Sequence, residues 1–263
     1  MWNLIKAQKY QLKRDNGIVY IYLIAVAMVV FTIVDILDSY SMKELSGSYM
    51  GLCMGEIDFV VLGILVVLLT ARISGWDYTD KTINYELMSG HSRSAVYWSR
   101  VMVSMIYYMV SCILIIAIPL LIFSALNGWG IRADMGGMLL RYGLALFPLF
   151  RLMCECILLT VLMRNCYLVM VIGFTVYQFS WVFATMAELF IEFEFTTQLA
   201  SMNVLRLICL EKSHFEYING EDVIVYKTSM EPDFLVGTIV VSLAVGIGCL
   251  LAGYLYFKKC DMD

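Results

Sequence analysis

The sequence predicts an all-α membrane protein of six transmembrane helices, on three observations. First, 61% of its 263 residues are hydrophobic and 15% are charged, with a mean hydropathy of +0.80. A soluble domain is about half apolar and a quarter charged. Second, the apolar residues gather into runs of the roughly 20 residues that cross a bilayer. These runs are too long and uniform for barrel strands, so helices must satisfy the backbone within lipid. Third, Lys and Arg concentrate on alternate connections between the runs, as retention in the cytosol requires.

Residues 1–16 form an amphipathic N-terminal segment, with Leu4, Ile5 and Leu12 on one helical side and Lys6, Lys9 and Lys13 on the other. That pattern lays a helix on the inner leaflet. Residues 17–263 form the transmembrane domain, with spans expected at Ile18–Ile36, Tyr49–Ile73, Ser94–Leu126, Met138–Met163, Cys166–Ala187 and Phe234–Phe257. The second span starts at Tyr49 or as late as Ile57. Loop 74–93 carries a short helix, with Thr79 or Asp77 to cap it, Ile83 and Leu87 at i, i+4, and Gly90 to end it. Ten residues make a rod of about 15 Å.

Between the fifth and sixth spans, segment 188–233 carries an amphipathic helix over Gln198–Leu210, expected to rest on the outer leaflet. A small β-hairpin follows over His214–Tyr226, where Asn219-Gly220 is a favoured tight-turn pair. Gly47, Gly51, Gly55 and Gly63 in the second span, and Ala244, Gly248 and Ala252 in the sixth, are spaced for close helix contacts. Those contacts are either within the subunit or between two subunits.

An even number of crossings places both termini on one side. That side gathers eleven Lys and Arg against six acids, a net of +5, and the other has five against 14, a net of −9. Arg141, Arg151, Asp35 and Glu155 lie within spans and cancel, leaving the overall −4. Both termini are therefore expected in the cytoplasm. No small-residue cleavage site follows the first run, so it is expected to stay as an anchor rather than be removed as a signal peptide. The eight cysteines lack zinc spacing and read as small apolar residues, with a Cys53–Cys209 disulfide as the alternative.

Catalytic chemistry is sparse. The two histidines, His91 and His214, lie in loops on opposite sides, so neither a membrane-depth Ser-His pair nor an HExxH helix can be built. There is no GxxxxGK[ST] to cradle ATP. The chain is expected to be no enzyme, to hold no metal or cofactor of its own, and to have no nucleic-acid partner. Charges at membrane depth are costly and mark functional candidates. Asp35, Glu56 and Asp58 lie toward the outer ends of the first two spans, as an external gate for a cationic substrate or as plain interfacial acids. Arg151 and Glu155, four apart in the fourth span, are substrate candidates or a neutralising pair.

The stretch Asp77–Arg93, followed by Tyr97, Trp98, Ser99 and Arg100, resembles the corresponding loop of type-2 ABC exporter permeases. In that family an acid, a Gly-Thr, a Leu and a Ser-Arg punctuate the loop. Thr82, Leu87, Ser92 and Arg93 match, Asp77 or Asp80 supplies the acid, and Lys81 stands where Gly is usual. The layout is similar to that of the small Gram-positive permeases that accompany bacitracin-resistance and lantibiotic-immunity ATPases. The resemblance implies a bacterial cell membrane, and two permease subunits, alike or different, working with two ABC ATPase subunits that hold ATP and Mg. The pair would export an amphiphilic or peptide-like substrate, such as an antimicrobial peptide. It also makes the loop helix a coupling helix, with Ile83, Tyr85, Leu87 and Met88 buried in the ATPase and Asp80, Lys81, Glu86 and Arg93 as a polar rim. A secondary transporter or channel is the alternative, since Pro119 and Pro148 interrupt the third and fourth spans as breaks do in such carriers.

Overall fold

The computed structural model describes residues 2–40, 45–80, 82–190, 204–210, 212–218 and 221–259. Its elements are α1 (Trp2–Lys13), α2 (Asn16–Ser39), α3 (Gly47–Thr79), α4 (Thr82–Met88), α5 (Arg93–Asn127), α6 (Met135–Met163), α7 (Cys166–Phe190), α8 (Val204–Ile208), β1 (Lys212–Ile218), β2 (Glu221–Tyr226) and α9 (Pro232–Lys259). Among the described residues, five helices are long and apolar enough to cross a membrane: α2, the Ile57–Thr79 part of α3, α5, α6 and α9. The expected fifth span is helical as the 25-residue α7, of which the stretch Cys166–Phe179 is the part that enters this count. The chain thus fits a multi-pass membrane protein, with five qualifying helices among the described residues.

Side chains that satisfy free backbone donors set the helix starts. Asp15 accepts from Gly17 N at 2.8 Å, Ser46 from Tyr49 N at 3.4 Å, Ser92 from Ala95 N at 3.3 Å and Asp134 from Gly137 N at 2.7 Å. The tight turn between α6 and α7 uses two residues. Arg164 is left-handed at φ 52° and ends α6, while Asn165 Oδ1 accepts from Tyr167 N and Leu168 N to start α7. Pro119 and Pro148 lie inside α5 and α6, which continue past them. The expected interruptions are absent, because neighbouring helices tolerate a proline whose backbone groups are satisfied locally.

Helix α3 is the axis of the bundle: 72% of its span is buried, against 22% for α2 and α9. It packs on α2, α5, α6, α7 and α8, and α6 with α9 forms the most extensive pair. The glycine spacing of α3 serves contacts inside this chain. A Cβ on Gly51 would meet Met138 of α6, and one on Gly63 would run into the Tyr177 ring of α7. Gly248 has nothing within 4 Å of such a Cβ, and Ala244, Gly248 and Ala252 are exposed. Tyrosine hydroxyls tie helices to opposing carbonyls: Tyr97 to Leu250 O at 2.8 Å, Tyr177 to Phe59 O at 2.8 Å, and Tyr108 to Leu146 O.

Two peripheral helices differ from expectation. Leu4, Ile5 and Gln8 of α1 are buried and the helix packs on α5, so α1 is docked on the bundle rather than only lying on a leaflet. Its apolar stripe finds protein. The described part of the expected helix Gln198–Leu210 is the short α8, whose Val204, Leu207 and Ile208 are buried against α3 and α6. The remainder, 198–203, lies outside the described residues.

Strands β1 and β2 pair antiparallel, with Ile218 opposite Glu221; the expected turn pair 219–220 lies outside the described residues. Tyr226 N donates to Arg132 O at 2.9 Å, and Arg141 Nε to Thr228 O at 3.0 Å. The hairpin therefore sits beside the α5–α6 connection. At the opposite end, Arg93 donates to Lys258 O at 3.2 Å, joining the start of α5 to the end of α9.

Candidate functional site

The strongest concentration of charge at the loop end is built around Arg100, seven residues into α5 and 4% exposed. Its guanidinium reaches Asp77 of α3 at 2.7 Å and Glu86 of α4 at 2.9 Å, and also donates to Val96 O at 3.2 Å. Thr82 donates to Asp77 Oδ1 at 3.0 Å. A buried cation keeps its charge only with well-placed acceptors, and the planar fork of Arg suits two carboxylates. The result ties α4 to both long helices flanking the loop. Gly90, at φ +89°, closes α4: Gly90 N donates to Leu87 O and His91 N to Glu86 O, the paired bonds of a left-handed helix stop.

This bracket divides the expected coupling residues. Ile83 is 3% exposed inside the chain's own core, and Leu87 packs partly against it. Glu86 turns its carboxylate to Arg100 and stays partly exposed, whereas Ile83 is closed off; a helix of seven residues must spend one face covering the ends of α3 and α5. Tyr85 and Met88 are 72% and 83% exposed, and Asp80 is exposed. Arg93 is engaged with Lys258 O, and Lys81 lies outside the described residues. The start of α4 also differs, since Thr79 belongs to α3 and accepts instead from Cys166 N at 3.1 Å.

A second ion pair joins α2 to α3. Arg72 Nε and Nη2 reach the two Asp15 oxygens at 2.6 and 2.7 Å, and its guanidinium lies 3.5 Å from the Trp76 ring centroid. The Arg72 hydrogen bonds, aided by Gly17 N, hold the Asp15 carboxyl below its ordinary pKa against the opposing effect of burial.

The acidic candidates do not form one cluster. Asp35 is exposed on α2, whereas Asp58 is 3% exposed and faces α6. The Tyr142 hydroxyl lies 3.2 Å from Asp58 Oδ2 and 3.1 Å from Gly51 O, while Asp58 Oδ1 is buried with no partner among the described residues. Asp58 is therefore covered rather than plainly exposed, because its position on α3 faces a neighbouring helix. Glu56 lies on α3, and its side chain is outside the described residues. Arg151 and Glu155 are 3.5 Å apart and pair along α6, partly exposed beside Tyr177 and Val204. No disulfide joins Cys53 to Cys209 among the described residues. Among the described residues no group of His, Cys, Asp and Glu could hold a metal ion.

Sequence reasoning placed Arg100 with the loop bases and missed that it organises the site. The available signal was its position inside an apolar helix, where an unpaired charge is costly. Tyr142 and the Asp15–Arg72 pair carried no signal beyond ordinary composition.

Comparisons with protein-family models, with curated proteins and with solved structures give no match to this chain.

Proposed function

We propose that this chain is the permease subunit of an ABC exporter in a bacterial cell membrane, moving an amphiphilic or peptide-like substrate under the drive of separate ATPase subunits. The observation that carries the reading is the α4 bracket. One buried guanidinium clamps a short helix to α3 and α5, while Tyr85 and Met88 stand free on its outer face. An aromatic and a methionine are apt anchors for a partner's cleft. Closure of an ATP-bound motor against that face would displace α4, and the bracket would carry the displacement into both helices as a shift between inward and outward states. ATP and Mg belong to the partner in this reading, and a second permease subunit completes the pathway.

Six crossings with both termini in the cytoplasm accompany the proposal. Helix α7 starts beside Thr79 at the loop end, and the chain resumes at α8 beside Gly55 toward the other end. Those two placements support α7 as the additional crossing. The test is co-purification with an ATPase encoded beside the chain, using Tyr85→Asp with Met88→Asp. Loss of the ATPase with unchanged membrane insertion is expected; retained ATPase would contradict the coupling role of α4.

A secondary carrier is the second reading, favoured by Asp58, a buried acid with one oxygen unpartnered among the described residues. Transport by the purified chain without any ATPase, abolished by Asp58→Asn, would decide for it.

A further inference from the structure

Beside the docked N-terminal helix lies a cleft of about 530 Å³, open toward the side and bounded by α1, α2 and α5. Its walls are apolar, with Ile18 and Val19 from α2 and Ile106 and Val110 from α5, and its rim carries Lys9 and Lys13. The two lysines are four residues apart on α1 and therefore share a face. Both are exposed, and among the described residues neither has an anionic partner. The neighbouring bases are occupied: Lys6 lies over the Trp2 ring and Arg14 over the Tyr10 ring. The nearest acid, Asp15, has both oxygens on Arg72. Tyr107 lines the cleft, and no hydrogen bond is found for its hydroxyl among the described residues.

We infer that this cleft binds one anionic phospholipid of the inner leaflet. The phosphate sits between Lys9 and Lys13, the Tyr107 hydroxyl donates to the glycerol ester region, and an acyl chain lies along Ile18, Val19, Ile106 and Val110. The charge on the rim selects an anionic over a zwitterionic headgroup, as basic pockets at the inner face of membrane helices do. The apolar walls select a lipid over a free phosphate ester. The inference rests on the basic end being cytoplasmic, as in the proposed function, but needs neither an ATPase nor a particular substrate.

The test is native mass spectrometry of the full chain purified in mild detergent and given phosphatidylglycerol, phosphatidylcholine with the same chains, or glycerol phosphate. Retention of phosphatidylglycerol over phosphatidylcholine is expected, and Lys9→Gln with Lys13→Gln should lower it more than about tenfold. Lys6→Gln with Arg14→Gln removes the same charge and should leave retention unchanged. Val110→Trp, which fills the cleft, should lower retention of the lipid without changing the elution volume. Equal loss in both double variants would reduce the site to diffuse attraction and overturn the inference. So would equal retention of phosphatidylcholine, or displacement of the lipid by glycerol phosphate. Any of these outcomes, with ATPase co-purification intact, leaves the exporter reading standing.

Discussion

Arg100 shows how a single side chain can decide the geometry of a loop. Replacing it by Met would leave Asp77 and Glu86 without their shared cation, and removing one member of a buried ion pair costs about 3–5 kcal/mol. Arg100→Met is therefore expected to lower the unfolding temperature in detergent markedly, and Arg100→Lys to recover only part, because an ammonium lacks the fork that reaches two carboxylates. The Asp15–Arg72 pair responds to pH instead. Its folded pKa is depressed, so its stabilisation is present above the ordinary carboxylate range and is lost as pH falls below about 4. Fluorescence of the nearby Trp76 is expected to change over that acid range in the wild type and not in Asp15→Asn; an unchanged wild-type signal would count against the pair. Little of this was legible in the sequence. A run of residues shows that Arg100, Asp77 and Glu86 are near one loop, but only the folded chain shows that Glu86 turns inward while Tyr85 turns out.

At the scale of elements, the apolar runs were legible to within a few residues, because lipid demands continuous helices and the capping residues Asp15, Ser46, Ser92 and Asp134 mark where they begin. The docking of α1 and α8 was not legible, since an amphipathic stripe looks the same whether it meets lipid or protein. Gly63 gives a measurable case of close helix approach. Gly63→Ala must displace the Tyr177 ring, which also holds Phe59 O, and overpacking of this kind costs about 1–3 kcal/mol. A lower unfolding temperature is expected, while Gly248→Ala, which meets nothing, should be neutral. Ile83→Asp and Tyr85→Asp likewise separate the two faces of α4: the first is expected to destabilise the chain, the second only to weaken partner binding.

For the whole molecule, the placement of connections gives a topological prediction. Loop 74–93 lies at the end where Arg93 meets Lys258, and the hairpin lies at the end where Tyr226 meets Arg132. Cysteines introduced at Ser89 and Thr228, in a background without the native thiols, are expected to react with an impermeant maleimide from opposite sides of sealed vesicles. Labelling of both from one side would remove α7 as a crossing. The charge asymmetry leads to the same expectation, and Ile83, Leu87 and Gly90 marked a short helix in loop 74–93 but not which of its residues turn outward.

The bracket at Arg100 has a mechanical consequence. Because one planar group is bolted to two long rods, a load applied at Met88 cannot be absorbed by either rod alone, and the pair must swing as a yoke. Compliance then has to reside at the periphery, in α2, whose apolar span is mostly uncovered by the rest of the chain.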